Sequence, residues 1–142
     1  MINLNFISPE IFISSSIMFL LILGVFKKNS SNLIHNLSIG LLLITGMLIL
    51  NNPFDNAVTL FGNSYIIDKL SSLMKIITII GGAFVLLIST KYLKISKIFQ
   101  IEYSILILCS ILGMMVMISA NDLMVFYIGL ELQSLALYVL AS

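Results

Sequence analysis

The chain has 142 residues, 60% of them hydrophobic and only 9% charged, with a formal net charge of +1. That supply of charge cannot coat a soluble domain of this size, so the composition excludes the soluble class and indicates a membrane protein. All seven basic residues are lysines, scattered or confined to loops, and the aromatic residues lie in apolar runs, a pattern that excludes a nucleic-acid partner.

Five runs are of the length needed to cross a bilayer, about 17–25 residues each. The expected fold is all-α: a single polytopic bundle over 1–142. The first helix is expected at 9–26, PEIFISSSIMFLLILGVF, with Ser8 as its N-cap and Pro9 at its first helical position. This run lacks a basic leading region and is long enough to span, so it reads as a membrane helix and not a cleaved signal. A second helix is expected at 33–50 and is closed by Asn51-Asn52-Pro53; a third is expected at 70–90. The fourth covers 102–119 and the fifth 122–141. Only Ala120 and Asn121 separate these two, with Asp122 beside them, so they are expected to form a tight helical hairpin in which Asn121 or Asp122 caps the new helix.

Lysine placement sets the expected orientation. Lys27 and Lys28 follow the first span, and Lys91, Lys94 and Lys97 follow the third; these loops fall on one side of the membrane. The loop 51–69 on the other side carries Asp55, Asp68 and the single Lys69. The positive-inside rule therefore predicts an outward N-terminus and an inward C-terminus.

Glu131 is the residue that composition does not explain. It lies at the middle of DLMVFYIGLELQSLALYVLAS, residues 122–142, roughly 13 Å along the helix from its outer end. A charged carboxylate at that depth costs on the order of 2.5–3.5 kcal/mol. It must remain protonated or find a cation and water, and either state makes its proton affinity sensitive to neighbours, as a proton relay requires. Tyr127, Ser134 and Tyr138 stand at −4, +3 and +7 and share its face, giving a polar stripe along the span. Gln133 is about 200° away and faces another neighbour, to which it can hydrogen-bond. A bland reading stands beside the functional one: a protonated Glu131 that pins two helices together.

Lys75 is the second ionisable candidate. It lies roughly 7–8 Å below the expected start of the third span, so its stem can reach the interface and snorkelling competes with a buried role. The other charges read as Asp68 and Asp122 at helix starts, the five paired-loop lysines as topology anchors, and Glu102 as an inner-surface charge. Cys109 reads as a small packing residue, and one cysteine cannot make an internal disulfide. With one histidine, His35, and one cysteine in the chain, a metal site is not expected.

The segment 113–141, GMMVMISANDLMVFYIGLELQSLALYVLA, resembles the fourth and fifth helices of the NADH-ubiquinone oxidoreductase chain 2 family, the antiporter-like membrane subunits of respiratory complex I. DKLSSLMK, with Asp68, Ser71 and Lys75, is similar to the start of the family's third helix, and SPEIF at 8–12 to its amino terminus. The resemblance implies a proton-translocating role in which Glu131 matches the glutamate of the family's buried ionisable chain. It also implies that NADH, FMN, iron–sulfur clusters and ubiquinone are held by other subunits, and that this chain's partners are other membrane-arm subunits and the lipid bilayer. The family pattern has around fourteen helices, so the lysines on later helices are not in this chain. A second polypeptide carrying the remaining helices is therefore expected, or else a longer chain of which this is the amino-terminal part. Usage rich in Ile, Asn, Lys and Phe with no Arg fits an AT-rich mitochondrial genome, hence a mitochondrial inner membrane, with a bacterial plasma membrane as the alternative. Two other functions stay open: a passive membrane scaffold, and the antiporter-like subunit of a cation/proton antiporter or membrane-bound hydrogenase.

Overall fold

The computed structural model describes residues 4–27, 31–52, 57–96 and 101–142. After a short 3-10 turn at Leu4–Phe6 come helices α1 (Ser8–Phe26) and α2 (Ser31–Leu50), strands β1 (Val58–Leu60) and β2 (Tyr65–Ile67), and helices α3 (Lys69–Ser96), α4 (Ile101–Ile118) and α5 (Leu123–Ala141). All five α-helices are long and apolar enough to cross a membrane. The expected polytopic all-α bundle is therefore present, with a small sheet added.

Helix α4 is the hub. It packs against α1, α2, α3 and α5, and Ile105, Ile107, Leu108, Ile111 and Met115 of α4 join Ile13, Leu20, Ile34, Leu42, Ile79 and Leu86 in one apolar core. Helix α5 leans chiefly on α4. Glycines set that contact: a Cβ on Gly113 would meet the Gly129 carbonyl oxygen at 2.9 Å and the Gln133 backbone nitrogen at 2.7 Å, and one on Gly129 would meet the Gly113 oxygen at 2.9 Å. Two backbones approach this closely only where both helices present a glycine, the small-residue packing favoured in lipid.

Two boundary expectations need correction, and a third is met in position only. Ser8 is not the N-cap of α1; Ile7 is, with no side-chain cap bond, and the Ser8 hydroxyl donates to the Asn5 carbonyl at 2.8 Å. Lys91 and Lys94 do not lie in a loop, because α3 runs 28 residues to Ser96 and both sit in its last turns, exposed. The sequence TKYLKIS contains no glycine or proline to end the helix on leaving the hydrocarbon, and lysines favour a helix C-terminus. Asp122 occupies the N-cap position of α5 but makes no side-chain cap bond, while the Asn121 side chain donates to the Asn63 carbonyl at 2.7 Å. Lys27 is exposed at the end of α1, and Glu102 is exposed in the first turn of α4. Lys28, Pro53, Asp55 and Lys97 lie outside the described residues.

The sheet was not expected. β1 and β2 pair antiparallel, Val58 with Ile67, Thr59 with Ile66 and Leu60 with Tyr65. The connecting Phe61, Gly62 and Asn63 all have positive φ, at 52°, 63° and 70°. The hairpin is stitched to the α4–α5 turn: Ile66 N–H donates to the Ser119 carbonyl at 2.8 Å, and Asn121 N–H to the Ser64 carbonyl at 2.9 Å. It covers one end of the bundle, where Leu60, Tyr65 and Ile67 pack with Phe6, Ile7, Val58 and Val125.

Candidate functional site

Helix α5 divides its residues by face. Gly129 and Ala136 are buried against the bundle, with Val125, Gln133 and Leu140 half-buried beside them. Glu131 is two positions from Gly129, about 200° around the helix, so it sits on the opposite side. Tyr127, Ser134 and Tyr138 fall there too. Tyr127 and Tyr138 are 62% and 69% exposed, and Glu131 and Ser134 are half-buried. The polar stripe thus points away from the other four helices.

On that face the described residues give Glu131 no hydrogen-bond or ion-pair partner. Tyr127 and Tyr138 hydrogen-bond neither the carboxylate nor each other, and the Ser134 hydroxyl donates to its own helix, to the Leu130 carbonyl at 2.7 Å. Glu131 therefore pins none of the described helices together. Gln133 does face α4, its backbone nitrogen lying against Gly113, but its side chain makes no hydrogen bond among the described residues.

Lys75 does not snorkel. It is 3% exposed and forms an ion pair with Glu10, the third residue of α1, which is 7% exposed. Tyr65 completes the cluster: its hydroxyl donates to Glu10 Oε1 at 2.7 Å, and Lys75 Nζ lies 3.4 Å from that hydroxyl and 5.3 Å from the centre of the ring. Burial raises the Tyr65 phenol above its ordinary pKa, the Glu10 charge adds to this, and the neighbouring Ser119 hydroxyl offsets part of it. Side chains on a helix lean toward its N-terminus, so the Lys75 stem climbs back toward the helix start and meets a carboxylate placed there. That counter-charge is why the inward rotamer wins over the interface. Asp68 sets the start of α3 by a reciprocal cap: its carboxylate accepts from Ser71 N–H at 2.7 Å, and its own N–H donates to Ser71 Oγ at 2.9 Å.

Glu10 and Tyr65 were not among the sequence candidates. A signal existed: Glu10 lies just inside the first apolar run, on the same side as Lys75, and two opposite charges on helices entering from one side can pair. Tyr65 could not be found without the hairpin. His35 was set aside as a metal ligand, and the structure gives it another task. It is 2% exposed; one ring nitrogen lies 2.9 Å from Ser104 Oγ and the other 3.0 Å from the Leu86 carbonyl, which joins α2 to α3 and α4. Since a carbonyl only accepts, Nε2 carries a proton. No group of three potential metal ligands occurs among the described residues.

A five-helix apolar bundle with one ion-paired cluster at its hairpin end and one mid-span carboxylate on an outward face defines a polytopic helical membrane protein. The chain is 76% identical over 140 residues to NADH-quinone oxidoreductase subunit N of Pelagibacter ubique, covering 99% of this chain and 30% of that protein. It is 45% identical over 141 residues to the protein of the same name from Bartonella bacilliformis (99% and 28%) and 40% identical over 134 residues to that of Paramagnetospirillum magneticum (94% and 28%). No protein-family model matches the chain. Over its whole length, then, the chain is related to the amino-terminal part of NADH-quinone oxidoreductase subunit N, and it spans somewhat under a third of the length of these relatives. These relatives are bacterial, so the expectation of a mitochondrial membrane gives way to its alternative.

Proposed function

We propose that the chain is the amino-terminal portion of a proton-translocating, antiporter-like subunit in the membrane arm of an NADH:quinone oxidoreductase, with Glu131 in its buried proton relay. One observation carries this reading: the only carboxylate at the middle of a described span faces away from its own bundle, flanked by Tyr127, Ser134 and Tyr138. A carboxylate exposed to hydrocarbon is costly, so this face calls for a polar partner beyond these five helices. The rest of the subunit supplies it, on the same polypeptide or on a second one, bringing the cationic group that makes Glu131 a switchable acid. Other membrane-arm subunits are the further partners. NADH, FMN, iron–sulfur clusters and quinone bind elsewhere in the complex, and this chain contributes protein groups alone.

The membrane is a bacterial plasma membrane. The lysine distribution favours an outward hairpin end and an inward end at Lys27, Lys91 and Lys94. The test is a native gel of membranes solubilised in mild detergent, stained for NADH oxidation, with mass spectrometry of the active band. The chain is expected in that band with the sequence of the remaining helices. Its recovery only in bands without NADH oxidation would overturn the assignment and favour an antiporter relative or a scaffold.

A further inference from the structure

The relay proposed above names Glu131 alone; the Glu10–Tyr65–Lys75 cluster is a second set of buried ionisable groups, and it is incomplete. Two buried oxygens at this end of the bundle lack a hydrogen-bond partner among the described residues: Glu10 Oε2 and Ser119 Oγ. Glu10 is 7% exposed and Ser119 1%, so bulk water does not satisfy them. Ser119 also forms part of the wall of a cavity of about 340 Å³, together with Asp68 and Ser71 at the start of α3 and Ile118 and Ala120 beside the α4–α5 turn. Buried polar atoms in native interiors keep partners, and a space of this size, with Asp68, Ser71 and Ser119 in a wall otherwise formed largely by apolar side chains, has room for water beside them. From this cavity the polar groups follow one another inward: Ser119, then the Tyr65 hydroxyl it neighbours, then Glu10 Oε1, then Lys75.

We propose that this cluster is a second proton-exchanging site, which takes up and releases a proton at the hairpin end of the membrane through water held in the Ser119 cavity. At rest Glu10 is a carboxylate and Lys75 an ammonium, and the cluster has no net charge. On uptake an O–H bond forms at Glu10 Oε1 as the Tyr65 O–H bond breaks, and the Tyr65 oxygen regains a proton from the water or hydroxyl behind it. The cluster then carries one positive charge, on Lys75, and the same steps in reverse return the proton to the water. Nothing is oxidised or reduced. Among the described residues, the titratable and charged groups around the cluster are Glu10 from α1, Tyr65 from the hairpin, Asp68 just ahead of α3 and Lys75 within it; the α4 end contributes the hydroxyl of Ser119.

The inference rests on the proton-translocating reading above, and its test keeps the two apart. In membranes carrying the complete subunit, Ser119→Ala removes one buried hydroxyl and leaves the Glu10–Lys75 pair in place. Tyr65→Phe leaves the ion pair in place. Both are expected to assemble, to lower NADH-driven proton translocation by about a factor of ten, and to flatten its dependence on pH at the hairpin side. Should Tyr65→Phe fail to assemble, Ser119→Ala decides alone. Wild-type translocation and pH dependence in Ser119→Ala would overturn the proposal. Glu131→Gln in the same membranes separates the failures: if it is impaired while Ser119→Ala is normal, only this second site falls, and if both are normal, the relay reading falls with it.

Discussion

Glu10 and Lys75 show how one contact redirects a side chain. A lysine near the edge of a span ordinarily sends its charge to the interface; here a carboxylate two residues into α1 and a phenol from the hairpin give that charge a better place inside. Removing one partner leaves the other charged and buried. Glu10→Gln is therefore expected to destabilise the subunit by about 3–5 kcal/mol, and Glu10→Gln with Lys75→Met to recover most of that loss. Thermal denaturation of the assembled subunit, followed by loss of its band on a native gel, checks both. The equal destabilisation of single and double variants would contradict the account. Lys75 was legible in the sequence as an oddly deep lysine, but its direction was not, because the choice between interface and core depends on a residue 65 positions away.

At the scale of elements, hydropathy sufficed for five helices, since each run had to satisfy its own backbone in lipid and only a helix does so. It did not suffice for the hairpin, whose strands are three residues each and lie in a loop where period-two patterning has no room to register. The turn Phe61-Gly62-Asn63 was the available clue, with glycine and asparagine tolerating positive φ. Nor could the sequence say that Gly113 and Gly129 face one another. Their reciprocal contact makes a prediction at this scale: Gly113→Ala must push α5 from α4 by the width of a methyl group against backbone, at a cost of about 1–3 kcal/mol. A cysteine pair placed across α4 and α5 should cross-link more slowly in Gly113→Ala than in the parent. An unchanged rate would mean that the helices are not held by this contact. Gly40, with open space around its Cβ position, is the control.

Across the whole molecule, the four helices α1–α4 share a core while α5 presents a polar face to the outside. That division motivates the proposal of a partner on the Glu131 face, and the chain covers 28–30% of the relatives named as subunit N. The carboxylate itself was readable from one line of sequence: a glutamate amid leucine, isoleucine and valine is conspicuous. Its outward direction was not, because a helix's periodicity fixes which residues share a face but not which face meets the neighbours. Here the two glycines decide it, by turning Gly129 to α4 and Glu131 away.

The most direct test is Glu131→Gln in the complete subunit, with protons translocated per electron and NADH oxidation rate measured in sealed membrane vesicles alongside a native gel for assembly. Glutamine keeps the size and polarity of the side chain but cannot carry a proton on and off. If Glu131 relays protons, the complex assembles in normal amount and its translocation or coupled turnover falls by about tenfold or more. Normal assembly with an unchanged ratio and rate would contradict that role, and would leave Glu131 as a residue that packs helices and moves nothing.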